Sequence, residues 1–335
     1  MLFQPAIIAL LLAAGLAVAM LAGVAPFAVQ IIRHWDIHSG SERQLALERR
    51  TYLFSTLLTF VMVAQLAALL LFVFNADRLS VMFVGAMCAV GTLNVNDWGF
   101  PSLITQMVVF FLAAIWLAIN YVDTLARDYP LVRVKYVLLL LLLPFLAGNF
   151  WLELQYFVNL KANVITSCCG SMFSEGSKTI TAEASSLEPA PALWLFYAGM
   201  AAAIAAPLWH RQQGGRASGL LTALTSSVGF VAAITGVLSF VSLYIYEHPH
   251  HHCPFCILKP EYSYQGYWLY IPLFVATAAG LGAGAMQPFA LRPSLAAIVP
   301  RVSSRLAGLT AAGFALFTVI ATWFILNSNL ILIEH

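Results

Sequence analysis

Long apolar runs, broken by short polar segments, repeat along the whole chain. Eight of them reach the ~20 residues a helix needs to cross a hydrocarbon layer: Pro5–Ile32, Tyr52–Phe74, Leu103–Val122, Val134–Val158, Leu193–Trp209, Leu220–Tyr246, Tyr267–Met286 and Leu306–Leu326. A backbone in lipid must satisfy its own hydrogen bonds, so each run is predicted to be a helix. The expected fold class is therefore all-α: a polytopic membrane protein of about eight transmembrane helices, residues 1–335 forming one integral membrane domain. One more apolar stretch, Leu79–Leu93, is only about 15 residues and too short to span. It is expected to be a re-entrant or interfacial segment on the outer side. It runs into the polar turn Asn94-Val95-Asn96-Asp97-Trp98-Gly99, and Pro101 opens the next helix. The first run has no Lys or Arg before Arg33, unlike a signal peptide with its basic start, and is read as a retained span.

Composition agrees. Hydrophobic residues are 61% of the chain and charged residues 9%, far from the balance of a soluble domain. A net charge of +2 gives no reason to expect a nucleic-acid partner. The placement of the basic residues is more informative. The odd-numbered connections hold Arg33, Arg43, Arg49, Arg50, Arg127, Arg133, Lys135, Arg211, Arg216, Arg292, Arg301 and Arg305. The even-numbered connections hold only Arg78, Lys161, Lys178 and Lys259. The positive-inside bias then puts the odd connections in the cytoplasm and both termini outside. In a bacterium this is an inner-membrane protein whose even connections face the periplasm.

All five cysteines fall on that outer side. Cys168 and Cys169 are adjacent in an outer loop, residues 161–192, whose later part is rich in Ser, Thr, Ala, Glu and Pro. Cys253 and Cys256 form a Cys-x-x-Cys in a second outer loop, residues 247–266. Cys88 sits in the short apolar segment. A Cys-x-x-Cys can lower a thiol pKa and carry thiol–disulfide exchange, and the periplasm lets disulfides persist. A bridge between neighbours such as Cys168 and Cys169 demands strained geometry and would be labile. The plainer alternative is that each pair staples a loop. Cys88 reads as a small buried apolar residue, or as a third thiol near the others.

Four imidazoles, His248, His250, His251 and His252, immediately precede Cys253. Together with Cys253 and Cys256 they would suit Zn or Cu(I). Protonated, they would favour the Cys253 thiolate without any metal. Covalent haem is not expected, because Ile257 stands where Cys-x-x-Cys-His needs its histidine. Glu153 lies well inside a predicted span, and an ionisable group there is a functional candidate; its bland reading is a pairing with Lys161. Tyr262, Tyr264, Tyr267, Trp268 and Tyr270 crowd the entrance of the seventh span, where an interfacial belt is expected and a quinone headgroup would find the same rings.

The stretch Cys253-Pro254-Phe255-Cys256-Ile257-Leu258-Lys259 resembles the quinone-linked disulfide oxidases of the disulfide bond formation protein B type. The resemblance covers these seven residues, and that family has four helices. It implies that Cys253 and Cys256 form the quinone-proximal pair and that Lys259 stands where the family usually carries arginine. It also implies that Cys168 and Cys169 take the place of the pair facing a periplasmic thioredoxin-like partner. The expected function is thus a membrane thiol:disulfide oxidoreductase, with Glu153, Lys259, Tyr262 and Trp268 near the quinone. Two other readings stand beside it. One is a structural subunit of a larger membrane complex with stapled outer loops. The other is an outer-face Zn or Cu site.

Overall fold

The structure is a computed structural model describing residues 4–37, 39–161, 189–249 and 251–330, with Pro189 and Ala190 described by backbone alone. Cys168, Cys169 and His250 lie outside the described residues.

Eight helices are long and apolar enough to cross a membrane among the described residues: α1 (Pro5–His34), α2 (Glu42–Leu79), α3 (Gly99–Leu125), α4 (Val132–Val158), α5 (Pro189–Gln213), α6 (Arg216–Tyr246), α7 (Gln265–Ala285) and α8 (Ile298–Asn327). The chain is an all-α, multi-pass membrane protein. Most helices outrun their apolar runs at the basic ends. Thus α2 begins at Glu42 rather than near Tyr52 and carries Arg43, Arg49 and Arg50 on its first turns. Long basic side chains can keep their charge in water while their stems lie along the apolar surface. The stretch after α2 does not span. It is a 3-10 turn at Ser80–Met82 and a single helical turn at Ala89–Leu93, every residue of which is buried. Among the described residues four spanning helices, α3 to α6, separate the connection carrying Cys88 from the one carrying Cys253 and Cys256, an even number that puts both on the same side.

The chain divides into two compact units. The first comprises Met1–Asn75, Val95–Lys161 and Pro288–Arg301, and the second Ala76–Asn94, Ala162–Gln287 and Val302–His335. In the first unit, α1 and α3 pack on α4. Its apolar core runs through Leu21, Phe27, Met62, Trp116, Tyr136 and Leu142. Beside that core sits a buried ion pair. Lys135 Nζ lies 2.8 Å from Asp123 Oδ2, with side chains 2% and 0% exposed. Asp123 Oδ1 also accepts from Leu131 N–H at 2.6 Å, Lys135 Nζ donates to Asn120 Oδ1 at 3.2 Å, and Trp116 Nε1–H donates to Lys135 O at 3.0 Å. The pair ties the end of α3 to the start of α4. Buried charges survive only when paired and hydrogen-bonded in this way.

In the second unit, α5 and α7 pack on α6. Small residues allow close approach. A Cβ on Gly199 of α5 would stand 2.8 Å from Ala232 Cβ, and one on Gly229 of α6 would stand 2.7 Å from Ala203 Cβ. Membrane helices associate through such seams because lipid offers no hydrophobic contrast. At the basic end, His210 links three helices: Nδ1 to Ser218 Oγ at 2.8 Å and Nε2 to Ser303 Oγ at 2.5 Å. Ser218 spends its own hydrogen on Gly214 O, so it accepts from Nδ1–H. At the other end α6 contains a π-helical segment, Val237–Val241. Such bulges upset the regular carbonyl pairing and recur at functional sites.

Candidate functional site

Three sulfurs meet in the second unit. The Sγ atoms of Cys88, Cys253 and Cys256 all lie within 4.8 Å of one another. Cys88 Sγ and Cys253 Sγ are 3.3 Å apart. All three are thiols and are buried, at 0%, 0% and 5% exposure.

The local backbone explains how each arrives there. Cys88 is the extended residue before the Ala89–Leu93 turn. The carboxylate of Asp77, at the end of α2, accepts from Ala89 N–H, which fixes the turn that carries Cys88. Gly91 is required in that turn, because a Cβ there would meet Ala86 Cα at 2.7 Å. Cys253 and Cys256 sit in the connection from α6 to α7. It opens and closes on left-handed residues, Glu247 at φ 51°, Ser263 at φ 52° and Tyr264 at φ 56°. None is glycine, so the surrounding structure must hold them in a disfavoured conformation. Glu247 Oε1 does part of this, accepting from Asn329 N–H at 3.0 Å and Asn329 Nδ2 at 2.9 Å. Gly266 lets α7 close on the cysteine loop, since a Cβ there would lie 2.8 Å from Ile257 Cγ1 and Leu258 Cδ2.

Polar side chains brace the loop. Tyr246 O–H donates to Cys253 O at 2.5 Å, and Tyr270 O–H donates to Pro254 O at 2.7 Å. His252 Nδ1 reaches Leu238 O at 2.8 Å, taking up a carbonyl of the π-helical segment. The His251 ring lies against Tyr246 with centroids 4.1 Å apart, and its buried Nε2 has no hydrogen-bond partner. Burial holds the His251 imidazole below the usual histidine range, opposed by Cys88 and reinforced by His248 and His252. Burial pushes the Tyr262 phenol up, and its ring packs on Tyr246 at 4.7 Å. Lys259 is half-buried and acts electrostatically on Asp77, so the two cysteine-bearing segments also attract each other through charge.

The residues singled out in the sequence separate into three groups. Cys253, Cys256, Lys259, Tyr262, His251 and His252 share one loop region with Cys88. Trp268 is 69% exposed on α7, an orientation suited to the interfacial belt. Glu153 belongs to the first unit, where it meets Asn149 at 3.2 Å rather than Lys161. Among the described residues the compact donor set is cysteine alone, without His248, His251 or His252, and His248 is exposed.

The arrangement suits two chemistries. A disulfide closes at about 2.05 Å, so Cys88 and Cys253 need an approach of about 1.2 Å from their 3.3 Å separation. A soft metal ion bonded at about 2.3 Å would hold thiolates ~3.8 Å apart, within the spread of these three. Comparison of the chain with protein families, with curated proteins and with solved structures gave no match.

Proposed function

We propose that the protein is a membrane thiol:disulfide oxidoreductase built on Cys88, Cys253 and Cys256, lying in a bacterial inner membrane with this site on the periplasmic side. The observation that carries the reading is the meeting of three buried thiols from two distant segments, Cys88 Sγ and Cys253 Sγ being 3.3 Å apart. Three sulfurs hold one disulfide and one thiol. The remaining thiolate can attack the bridge and move it from one pair to the other, as exchange requires. In the oxidising step two S–H bonds break and one S–S bond forms. The two electrons and two protons pass to a quinone, which becomes a quinol. In the return step a dithiol protein loses two electrons and the bridge reopens to two thiols. The low exposure of the three sulfurs keeps a bulky partner from attacking them directly. Cys168 and Cys169 are the pair proposed to carry electrons in from a periplasmic thioredoxin-like protein. Lys259 and Tyr262 are proposed to face the quinone. Trp268 is exposed on α7 and Glu153 belongs to the first unit, so neither is carried into this quinone proposal.

The compactness of the sulfur set favours a second reading, a Zn or Cu(I) site on the same three thiolates, with His251 Nε2 as a nearby unpartnered nitrogen. One experiment separates the two. Thiols are trapped in cells with a mass-tagging alkylator while the respiratory chain runs and again while it is blocked. The oxidoreductase reading predicts that Cys253 and Cys256 gain tags when respiration is blocked. Thiols that stay protected in both states until a chelator is added would replace it with the metal reading. Unchanged, permanently oxidised cysteines would make them loop staples in a structural subunit.

A further inference from the structure

The first unit buries an ionisable group of its own. Glu153 is 1% exposed, Asn149 0% and Gln106 0%. Glu153 lies on α4 five residues before its end at Val158, ~7.5 Å of helical rise inside that end. Its two carboxyl oxygens are unequal. Asn149 Nδ2 donates to Oε1 at 3.2 Å. Asn149 Nδ2 also donates to Gln106 Oε1 at 2.5 Å, so the three side chains form one buried cluster. Oε2 is buried without a hydrogen-bond partner. Among the described residues the ion pair is Lys135 with Asp123, and no cation pairs with this carboxyl.

An ionised carboxylate spreads its charge over both oxygens and draws donors to each. An unpaired buried charge is also very costly. One oxygen with an amide donor and the other with no partner is the pattern of a carboxylic acid, with the carbonyl at Oε1 and the hydroxyl at Oε2. The ion pair in the same unit gives the contrast, since Asp123 meets Lys135 at 2.8 Å and Leu131 N–H at 2.6 Å, one contact on each oxygen.

We propose that Glu153 is a proton-exchange site in the membrane, holding a proton on Oε2 and releasing it toward the end of α4. Tyr156 lies three residues on, on the same face, with its hydroxyl buried and unpartnered. Beyond it Asn96 Nδ2 donates to Tyr156 O at 3.1 Å, and Asp97 and Trp98 stand exposed. These are the polar groups that follow Glu153 toward that end of α4. The step is proton transfer alone: the O–H bond at Oε2 breaks, a proton leaves, and no electrons change hands.

The test uses the whole protein in lipid vesicles and an apolar carbodiimide, which reacts with protonated carboxyls in a lipid setting. The expected result is modification at Glu153 and not at Asp123, read by peptide mass. The rate should fall as the buffer is taken from mildly acid to mildly alkaline, and the Glu153 adduct should vanish in Glu153→Gln. No adduct at Glu153 in the unaltered protein would show an ionised group and overturn the proposal. An adduct whose rate ignores pH would show a locked structural acid and overturn it equally.

Discussion

The two units solve the problem of buried polar chemistry in opposite ways. In the first, the polar groups sit on spanning helices: Lys135 and Asp123 at adjoining helix ends, Glu153 with Asn149 and Gln106 within the helices. Helical backbone satisfies itself, so each side chain needs only one or two partners. In the second unit the thiols sit on connecting segments, and the backbone needs bracing from Tyr246, Tyr270, His252 and Asp77. Non-helical backbone at membrane depth is tolerated only where protein covers it. The difference teaches that the helix-borne groups are placed by self-satisfied backbone, whereas the sulfurs depend on a braced loop, where the proposed exchange would bring Cys88 and Cys253 closer by about 1.2 Å from 3.3 Å.

Breaking each region should therefore give different failures. The largest effect is expected from Cys253→Ser. It removes the sulfur that contacts Cys88 and should abolish quinone-dependent disulfide turnover while the helical circular dichroism and melting temperature stay close to those of the parent. Turnover at the parent's rate would contradict the sulfur account. Lys135→Met strands Asp123 in a dry site and should cost about 3–5 kcal/mol, seen as a large drop in thermal stability. A second change, Asp123→Asn, should recover part of the loss, because the stranded charge is then gone. Gly266→Ala pushes a methyl into Ile257 and Leu258 and should cost about 1–3 kcal/mol. Its signature would be local, with faster alkylation of Cys256 while Lys135 and its partners stay protected in hydrogen exchange. The smallest effect is expected from Tyr246→Phe, which removes one hydrogen bond to Cys253 O at about 0.5–1.5 kcal/mol. It should raise the alkylation rate of Cys253 only a few-fold, and an unchanged rate would show that Tyr246 does not brace the loop.

Much of this was legible in the sequence. Bilayer thickness and backbone hydrogen bonding force apolar runs into helices, so the eight spans and the non-spanning Leu79–Leu93 segment follow from the residue pattern. Glu153 stood out because a carboxylate inside an apolar run is costly. The partners were harder to see. Cys88 and Cys253 are 165 residues apart, and periodicity says nothing about which connection folds onto which. Lys135 counts as a loop charge in the positive-inside pattern, yet it is buried against Asp123. The signal that would have found that pair is local: an acid just before a short interhelical turn and a base just after it, each with apolar neighbours. The histidine stretch suggested a metal set with Cys253 and Cys256; among the described residues His252 Nδ1 meets a backbone carbonyl, the His251 ring meets a tyrosine, and the compact donor set is the three sulfurs.

The central claim is that Cys88, Cys253 and Cys256 act as one exchanging set. It is tested most directly by treating purified, metal-free protein with a soluble quinone and mapping its disulfides by peptide mass under non-reducing conditions. The account predicts cross-linked peptides joining Cys253 to Cys88 or to Cys256, one bridge per molecule with the third sulfur alkylatable, and complete reversal by a dithiol. Three cysteines that remain thiols in the presence of quinone, or bridges formed only to cysteines outside this set, would contradict it.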